Sequence, residues 1–267
     1  MIRWYGVMYA VAFWLAWAML PYLGRKRAFL LSRDQWTAII AFGALGVVVG
    51  GRLGYVMLYD PQYFITNPLE IFKIWHGGMS SHGGFIGAAL GVWLAARYFS
   101  PSYEGEREGV SILAIADILS VPAALGLALG RIGNITNGEF GLYPFYEAGA
   151  DILIAAVCYV MLRSSSPLPF REREGVRGSR VAVTPLIRAL HKGKANLLPK
   201  QEKGATARNG KIFASFLILY SIARFLLEYV RPQEWSYIYG LTRGQAYTIP
   251  LLLSGVLLWI YAHKHRI

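Results

Sequence analysis

Seven apolar stretches of about 20 residues recur along this chain, and they constrain its fold more than any other feature. A stretch of that length can cross a bilayer as an α-helix. The chain is 55% hydrophobic and only 16% charged, whereas a soluble domain carries about 25% charged residues. The sequence therefore predicts one all-α integral membrane domain over residues 1–267, with seven transmembrane helices near residues 4–23, 37–58, 83–99, 111–130, 148–162, 211–230 and 245–262.

Basic residues in the loops predict the orientation, because Lys and Arg concentrate on the cytoplasmic side. One set of alternate loops holds 20 of them and the other set holds five. The bias places the N-terminus outside and the C-terminus in the cytoplasm. Residues 16–18 resemble a signal-peptide cleavage site. A signal peptide has a positively charged segment before its apolar run, and here that segment holds only Arg3. We therefore expect the first stretch to be retained as a membrane helix.

Most of the positive charge lies in one hydrophilic segment. Residues 163–211 hold 12 Lys or Arg and three Glu, so +9 of the net +12 is there. The segment is rich in Pro, Gly and Ser, which predicts a basic, disordered cytoplasmic loop insertion at residues 164–210. The charge therefore indicates an anionic membrane surface and no nucleic-acid partner. Cys158, the one cysteine, lies in an apolar run and is predicted to be a small buried hydrophobe.

A few charged residues lie within or beside the predicted spans, where charge is costly and needs a reason. The predicted orientation places all of them except Asp117 in the outer half of the bilayer. The excess of positive charge there predicts a bound anion, and the natural one is a phospholipid phosphate. Ion pairing is the competing interpretation for part of the group. The outer group consists of Arg52, His82, Arg131, Glu139, Arg224 and Glu228.

Residues 131–141, which read RIGNITNGEFG, form the most specific local feature. A helix end needs one Asn or Gly for capping, so this density of polar residues favours a site. In the sixth span Tyr220, Arg224 and Glu228 are four residues apart and share one helix face. Arg131 and Arg224 are therefore predicted to act together on one anion, and we call them the arginine pair.

Glycines are expected to have two roles, close packing of the membrane helices and formation of one turn. Glycine at four-residue spacing lets membrane helices approach closely. A glycine-rich turn, residues 77–84, places His82 at the outer level, where it could titrate near neutrality. Neither His76 nor His82 has carboxylate or thiolate companions at ligand spacing, so no metal site is predicted. The glycine stripes are Gly46, Gly50 and Gly54, then Gly83, Gly87 and Gly91, then Gly126 and Gly130.

Five separated motifs together resemble those of the prolipoprotein diacylglyceryl transferases. They are residues 3–6 (RWYG), 50–55 (GGRLGY), 77–84 (GGMSSHGG), 131–141 and 220–232 (YSIARFLLEYVRP). The resemblance implies a seven-helix enzyme of the bacterial inner membrane with its N-terminus outside. Such enzymes move a diacylglyceryl group from phosphatidylglycerol to the lipobox cysteine thiol of a prolipoprotein and release glycerol 1-phosphate. No metal or organic cofactor is implied.

The resemblance also implies which residues form the site. A thiol with a pKa of about 8.5 must lose its proton, and charge on the leaving phosphate must be stabilised. His82 suits the first task as a general base, or it orients the lipid headgroup. The implied catalytic residues are His82, Arg131, Glu139 and Arg224, and the implied substrate-binding residues are Tyr5, Arg52, Gly83, Asn134, Asn137, Tyr220 and Glu228.

The chain departs from the family pattern mainly in its fourth loop. Family members usually carry a longer periplasmic segment that ends in His-Pro-Ser-Gln-Leu-Tyr-Glu, of which residues 142–147 (LYPFYE) remain here. One alternative function is a non-catalytic relative that binds anionic phospholipid or lipoprotein precursor. A transporter or a seven-helix photoreceptor is disfavoured, because no inverted repeat is visible and the seventh span lacks a lysine.

Overall fold

The fold is almost entirely helical. The computed structural model describes residues 4–27, 31–58, 61–99, 111–164, 209–231, 237–238 and 240–264. In chain order its helices are α1 (Trp4–Lys26), α2 (Arg33–Leu58), α3 (Pro61–Thr66), α4 (Ser81–Phe99), α5 (Ile112–Thr136), α6 (Tyr143–Ser164), α7 (Lys211–Leu227) and α8 (Arg243–Lys264). Two 3-10 turns, Pro68–Phe72 and Ile74–His76, follow α3. An antiparallel pair, β1 (Tyr237–Ile238) and β2 (Leu241–Thr242), precedes α8.

The long helices suit a membrane. Five segments are long and apolar enough to cross one: Gly6–Lys26, Arg33–Leu58, Ile112–Thr136, Tyr143–Ser164 and Gly244–Lys264. Gly83–Arg97 is a shorter apolar helix, and α7 has 17 residues. Large apolar side chains such as Trp14, Leu45 and Leu153 are exposed on the helix surfaces, as lipid-facing positions require. The predicted all-helical membrane protein is confirmed at this level, and the count of seven spans and the orientation stay predictions.

Two helices have ends that differ most from the predicted ones. Helix α5 continues past residue 130 to Thr136, so Arg131 and Asn134 lie in its last turns and not after it. Helix α6 begins at Tyr143 and not at residue 148. Pro144 is tolerated there because the first turn of a helix has no partner for its backbone N–H groups. Residues that hydropathy assigned to a loop therefore belong to a helix.

Glycine lets α2 and α4 touch along their backbones. A Cβ on Gly87 would lie 2.0 Å from the carbonyl oxygen of Gly46, and a Cβ on Gly50 would lie 2.3 Å from that of Gly83. Real Cβ atoms do not approach so closely, so the predicted packing role is confirmed for this helix pair. Gly130 differs, because no described atom lies within 4 Å of the position its Cβ would take.

The buried core gathers at one end of the bundle, which we call the core end. The C-terminal parts of α1, α4 and α6 meet the N-terminal parts of α2, α5 and α7 there. Because neighbouring helices alternate in direction, the start of α4 and the end of α5 both lie at the opposite end, which we call the polar end. The core includes Leu20, Leu23, Trp36, Ile39, Ala95, Ile115, Ile118, Cys158, Leu162, Ile212 and Phe216. Cys158 is fully buried, as predicted.

An ion pair fastens the start of α7 at the core end. The fully buried Asp117 accepts hydrogen bonds from Nη2 of Arg27 at 2.8 Å and from the backbone N–H groups of Gly210 and Phe213 at 2.9 Å. The first N–H groups of a helix need acceptors from outside it, so Asp117 caps α7 from α5. Burial lowers the pKa of Arg27, and the charge of Asp117 opposes that shift. The position of α7 is thereby fixed relative to α1 and α5.

Candidate functional site

The arginine pair meets at one buried carboxylate at the polar end. Glu147, near the start of α6, is 4% exposed. Its Oε2 lies 3.0 Å from Nε of Arg131 on α5, and its Oε1 lies 3.3 Å from Nη1 of Arg224 on α7. Three helices therefore bring together two residues that are far apart in sequence, with an acid between them.

Further acceptors surround Arg224. The Tyr143 hydroxyl donates to Oε1 of Glu147 at 2.8 Å and accepts a hydrogen bond from Nη1 of Arg224. One turn along α7, Oε2 of Glu228 lies 2.5 Å from the same Nη1. Glu228 also lies 3.4 Å from Nη1 of Arg231. The spacing of Arg224 and Glu228 predicted an ion pair, and the structure contains it. Each of these contacts of Arg224 uses the same nitrogen.

A narrow pocket opens beside this cluster, with room for about one water molecule. Tyr220 lines it together with the arginine pair, so these three predicted site residues share one surface. The full lining is Arg131, Glu147, Ala150, Asp151, Tyr220, Ala223, Arg224 and Leu227. Across the described ranges, no three His, Cys, Asp or Glu residues are placed to hold a metal ion.

The end of α5 and the turn after it gather three more predicted residues. Nδ2 of Asn134 donates to Oε2 of Glu139 at 2.9 Å, and Nδ2 of Asn137 donates to Oε1 at 3.4 Å. Gly138 lies in this turn with a φ of 71°, a conformation that glycine adopts at no steric cost. This end of α5 therefore presents two amides and a carboxylate as one group.

Arg52 serves a different part of the polar end. It is 5% exposed, and its guanidinium stacks over the Phe64 ring at 5.2 Å. Its nitrogens donate to the backbone carbonyl oxygens of Glu70, Ile71, Lys73, Gly77 and Gly78. In the structure Arg52 thus holds the connection between α2 and α4, and it does not line the pocket beside the arginine pair.

Gly83 and His82 lie at the start of α4. Gly83 packs against the backbone of Gly50 and donates its N–H to Oγ of Ser80 at 3.3 Å, so its place is in the helix contact. His82 is in the first turn of α4 and Tyr5 is in the first turn of α1, both at the polar end. The side chains of His82 and Tyr5 lie outside the described part of the chain.

Comparison with known proteins gives the family. Residues 1–261 match the prolipoprotein diacylglyceryl transferase family. The chain belongs to this family. A phosphatidylglycerol–prolipoprotein diacylglyceryl transferase of Oleidesulfovibrio alaskensis is 33% identical over 99% of this chain and 90% of its own length. Those of Methylocella silvestris and Coxiella burnetii are 34% and 33% identical, also over 99% of this chain, and 91% and 93% of their lengths are covered.

Two carboxylates of the cluster around the arginine pair were not predicted from the sequence. Glu147 and Asp151 are each 4% exposed, but the predicted fifth span began after Glu147 and the count of charged residues omitted Asp151. The inferred excess of positive charge is therefore wrong for this cluster. An ionisable residue inside an apolar span itself indicates a functional position, and this criterion identifies Asp151 from the sequence. The cluster places three arginines, Arg131, Arg224 and Arg231, beside three acidic residues, Glu147, Asp151 and Glu228.

The start of α6 takes part in this cluster. Tyr143 and Glu147 belong to the first turns of α6. Both contact Arg224. Residues that hydropathy assigned to the fourth loop therefore supply two polar partners of Arg224.

Proposed function

We propose that this protein transfers the diacylglyceryl group of phosphatidylglycerol to the lipobox cysteine thiol of prolipoproteins. The products are a thioether-linked diacylglyceryl precursor and glycerol 1-phosphate, and the reaction is the first step of lipoprotein maturation. The observation that carries the proposal is the meeting of Arg131 and Arg224 at the polar end. It occurs in a chain whose relatives, named for this reaction, match it over nearly its whole length.

The chemistry is a substitution at a glyceryl carbon. The thiolate sulfur forms a bond to that carbon, the carbon–oxygen bond to phosphate breaks, and the thiol proton passes to a base. At neutral pH a thiol with a pKa of about 8.5 is mostly protonated, so the reaction needs such a base. We propose His82 for this role because α4 begins at the polar end, with orientation of the lipid headgroup as its alternative role.

The arginine pair stabilises the leaving phosphate. Charge gathers on its oxygens as the carbon–oxygen bond breaks, and a preorganised donor at such a site contributes about 3 kcal/mol. Glu139 and the two amides beside it, Asn134 and Asn137, form a polar group suited to the hydroxyls of the glycerol headgroup. Tyr220 forms the pocket wall beside the arginines.

We further propose a seven-span topology in the bacterial inner membrane with the polar end in the outer leaflet. The bias of 20 basic residues to five supports this orientation. It places the arginine pair where the donor lipid arrives sideways from the membrane and the precursor arrives from outside. The basic insertion at residues 164–210 is then cytoplasmic, and residues 165–208 of it lie outside the described ranges.

A transfer assay tests the proposal. The purified protein is incubated with phosphatidylglycerol and a lipobox peptide, and a peptide with serine in place of the cysteine is the control. We expect a thioether-linked diacylglyceryl peptide and an equal amount of glycerol 1-phosphate. A protein that binds phosphatidylglycerol but forms no thioether would instead be the non-catalytic relative that binds anionic phospholipid or lipoprotein precursor.

A further inference from the structure

Glu147 holds each member of the arginine pair by one nitrogen. It contacts Arg131 through Nε and Arg224 through Nη1. Among the described residues, neither Nη of Arg131 and neither Nε nor Nη2 of Arg224 has a hydrogen-bond or ion-pair partner. The side chains of Arg131 and Arg224 are 28% and 15% exposed. Each guanidinium thus keeps part of its donor set available beside the pocket.

A guanidinium is planar and carries five N–H donors along its edges. A carboxylate on one edge leaves another edge for a second acceptor. Two guanidiniums near one another repel, and a negative charge placed between them lowers that cost. The Glu147 carboxylate has this position, and the Tyr143 hydroxyl, 2.8 Å from its Oε1, fixes its orientation.

We infer that Glu147 is a positioning residue for phosphate recognition. It sets the spacing and the orientation of Arg131 and Arg224 by binding one nitrogen of each, and it leaves their remaining donors to the phosphate of the donor lipid. This inference rests on the proposed function, because that phosphate is the anion concerned. Glu147 acts through the arginines and does not contact the reacting atoms.

Two variants separate the effect of the Glu147 charge from the effect of its side-chain length. Glu147→Gln keeps the shape but has one acceptor oxygen and no charge. Glu147→Asp keeps the charge but is one methylene shorter, so it reaches one arginine at a time. We expect both to lower kcat about 10-fold or more. The KM for phosphatidylglycerol should stay within about threefold, because both arginines remain to attract the lipid. Glu70→Gln, which breaks the ion pair of Glu70 with Lys73, is the matched control.

A second measurement does not depend on turnover. Phosphatidylglycerol in nanodiscs with the wild-type protein should give a bound ³¹P NMR signal shifted by the two guanidiniums. Glu147→Gln and Glu147→Asp should move that signal towards free lipid, and Glu70→Gln should not. If the wild type shows this pattern but forms no thioether, the proposed transfer fails while the positioning role of Glu147 stands.

Three results would overturn the inference. The first is a bound ³¹P signal that is absent from the wild type or the same in both Glu147 variants. The second is a kcat within about twofold of wild type in both variants when their Tm is unchanged. The third is a lower KM with unchanged kcat in Glu147→Gln, which would show that Glu147 competes with phosphate instead of positioning its ligands.

Discussion

Arg131 and Arg224 each contact Glu147 through one nitrogen, and a guanidinium carries further N–H donors for a second ligand. Lysine would keep the charge of either residue, but it lacks the planar set of donors that binds a carboxylate and a phosphate together. A loss on exchange to lysine therefore measures geometry and not charge.

We expect Arg131→Lys and Arg224→Lys to lower the rate of thioether formation about 100-fold. Arg97→Lys is the matched control, because Arg97 lies in the last turn of α4 at the core end, and its rate should stay within about twofold. Initial rates are measured together with Tm, so that loss of folding is recognised. Full activity in both site variants would make the arginines structural and would favour the lipid-binding alternative.

At this scale the sequence predicted the residues whose chemistry conflicts with an apolar span. Arg131, Tyr220 and Arg224 are of that kind, and the structure brings them to one pocket. The partners of Arg52 could not be predicted in this way, because they are backbone carbonyls. Any residue type supplies a carbonyl, so only the path of the chain shows that Arg52 binds them.

At the scale of helices, hydropathy predicted which segments are helical but not where they end. Hydropathy averages over many residues, whereas a helix end depends on a few local contacts. Helix α6 begins at Tyr143 and not at residue 148, and its first turns carry Tyr143 and Glu147, which both contact Arg224. Those contacts come from another helix, and the sequence of α6 alone does not reveal them.

The contact between α2 and α4 should respond sharply to a single methyl group. Gly87→Ala places a Cβ against the Gly46 carbonyl, so we expect a loss of about 2 kcal/mol in unfolding free energy. Gly84→Ala, on the same helix, meets Val47 at 3.7 Å and should change it by no more than about 0.5 kcal/mol. Thermal unfolding in detergent compares them, and equal Tm values would contradict the backbone contact.

The cap that Asp117 supplies to α7 is a second test at this scale. Asp117→Asn leaves Arg27, whose side chain is 9% exposed, without its charge partner, which costs about 3 kcal/mol. Hydrogen exchange at residues 210–214 should become faster. Asp34→Asn, an exposed change in the first turn of α2, is the control. An unchanged exchange rate in Asp117→Asn would mean that α7 is held by other contacts.

At the scale of the whole molecule, helix direction and charge distribution agree. The helices place every predicted outer residue at the polar end, and Asp117 alone lies at the core end. The sequence predicted that these residues share one end because consecutive spans alternate in direction, and the side of the membrane that this end faces stays a prediction. The position of Arg52 outside the pocket beside the arginine pair was not predictable, since it depends on how the helices pack.

Labelling of single cysteines tests the orientation. In a Cys158→Ser background, which removes a fully buried thiol, Leu69→Cys and Ser166→Cys are treated with a membrane-impermeant maleimide. We expect Leu69→Cys, in the connection between α2 and α4, to react in intact spheroplasts. Ser166→Cys should react only after the membrane is opened. The reverse pattern would invert the topology and place the arginine pair in the inner leaflet.

The separation of the core end from the polar end has a consequence for how such a chain evolves. The side chains that hold the helices together, such as Leu20, Ile118 and Leu162, are far along the bundle from the fourth loop. Insertions and deletions in that loop therefore leave the packing that carries most of the fold untouched. A lineage can therefore shorten or lengthen this loop while it inherits the same bundle.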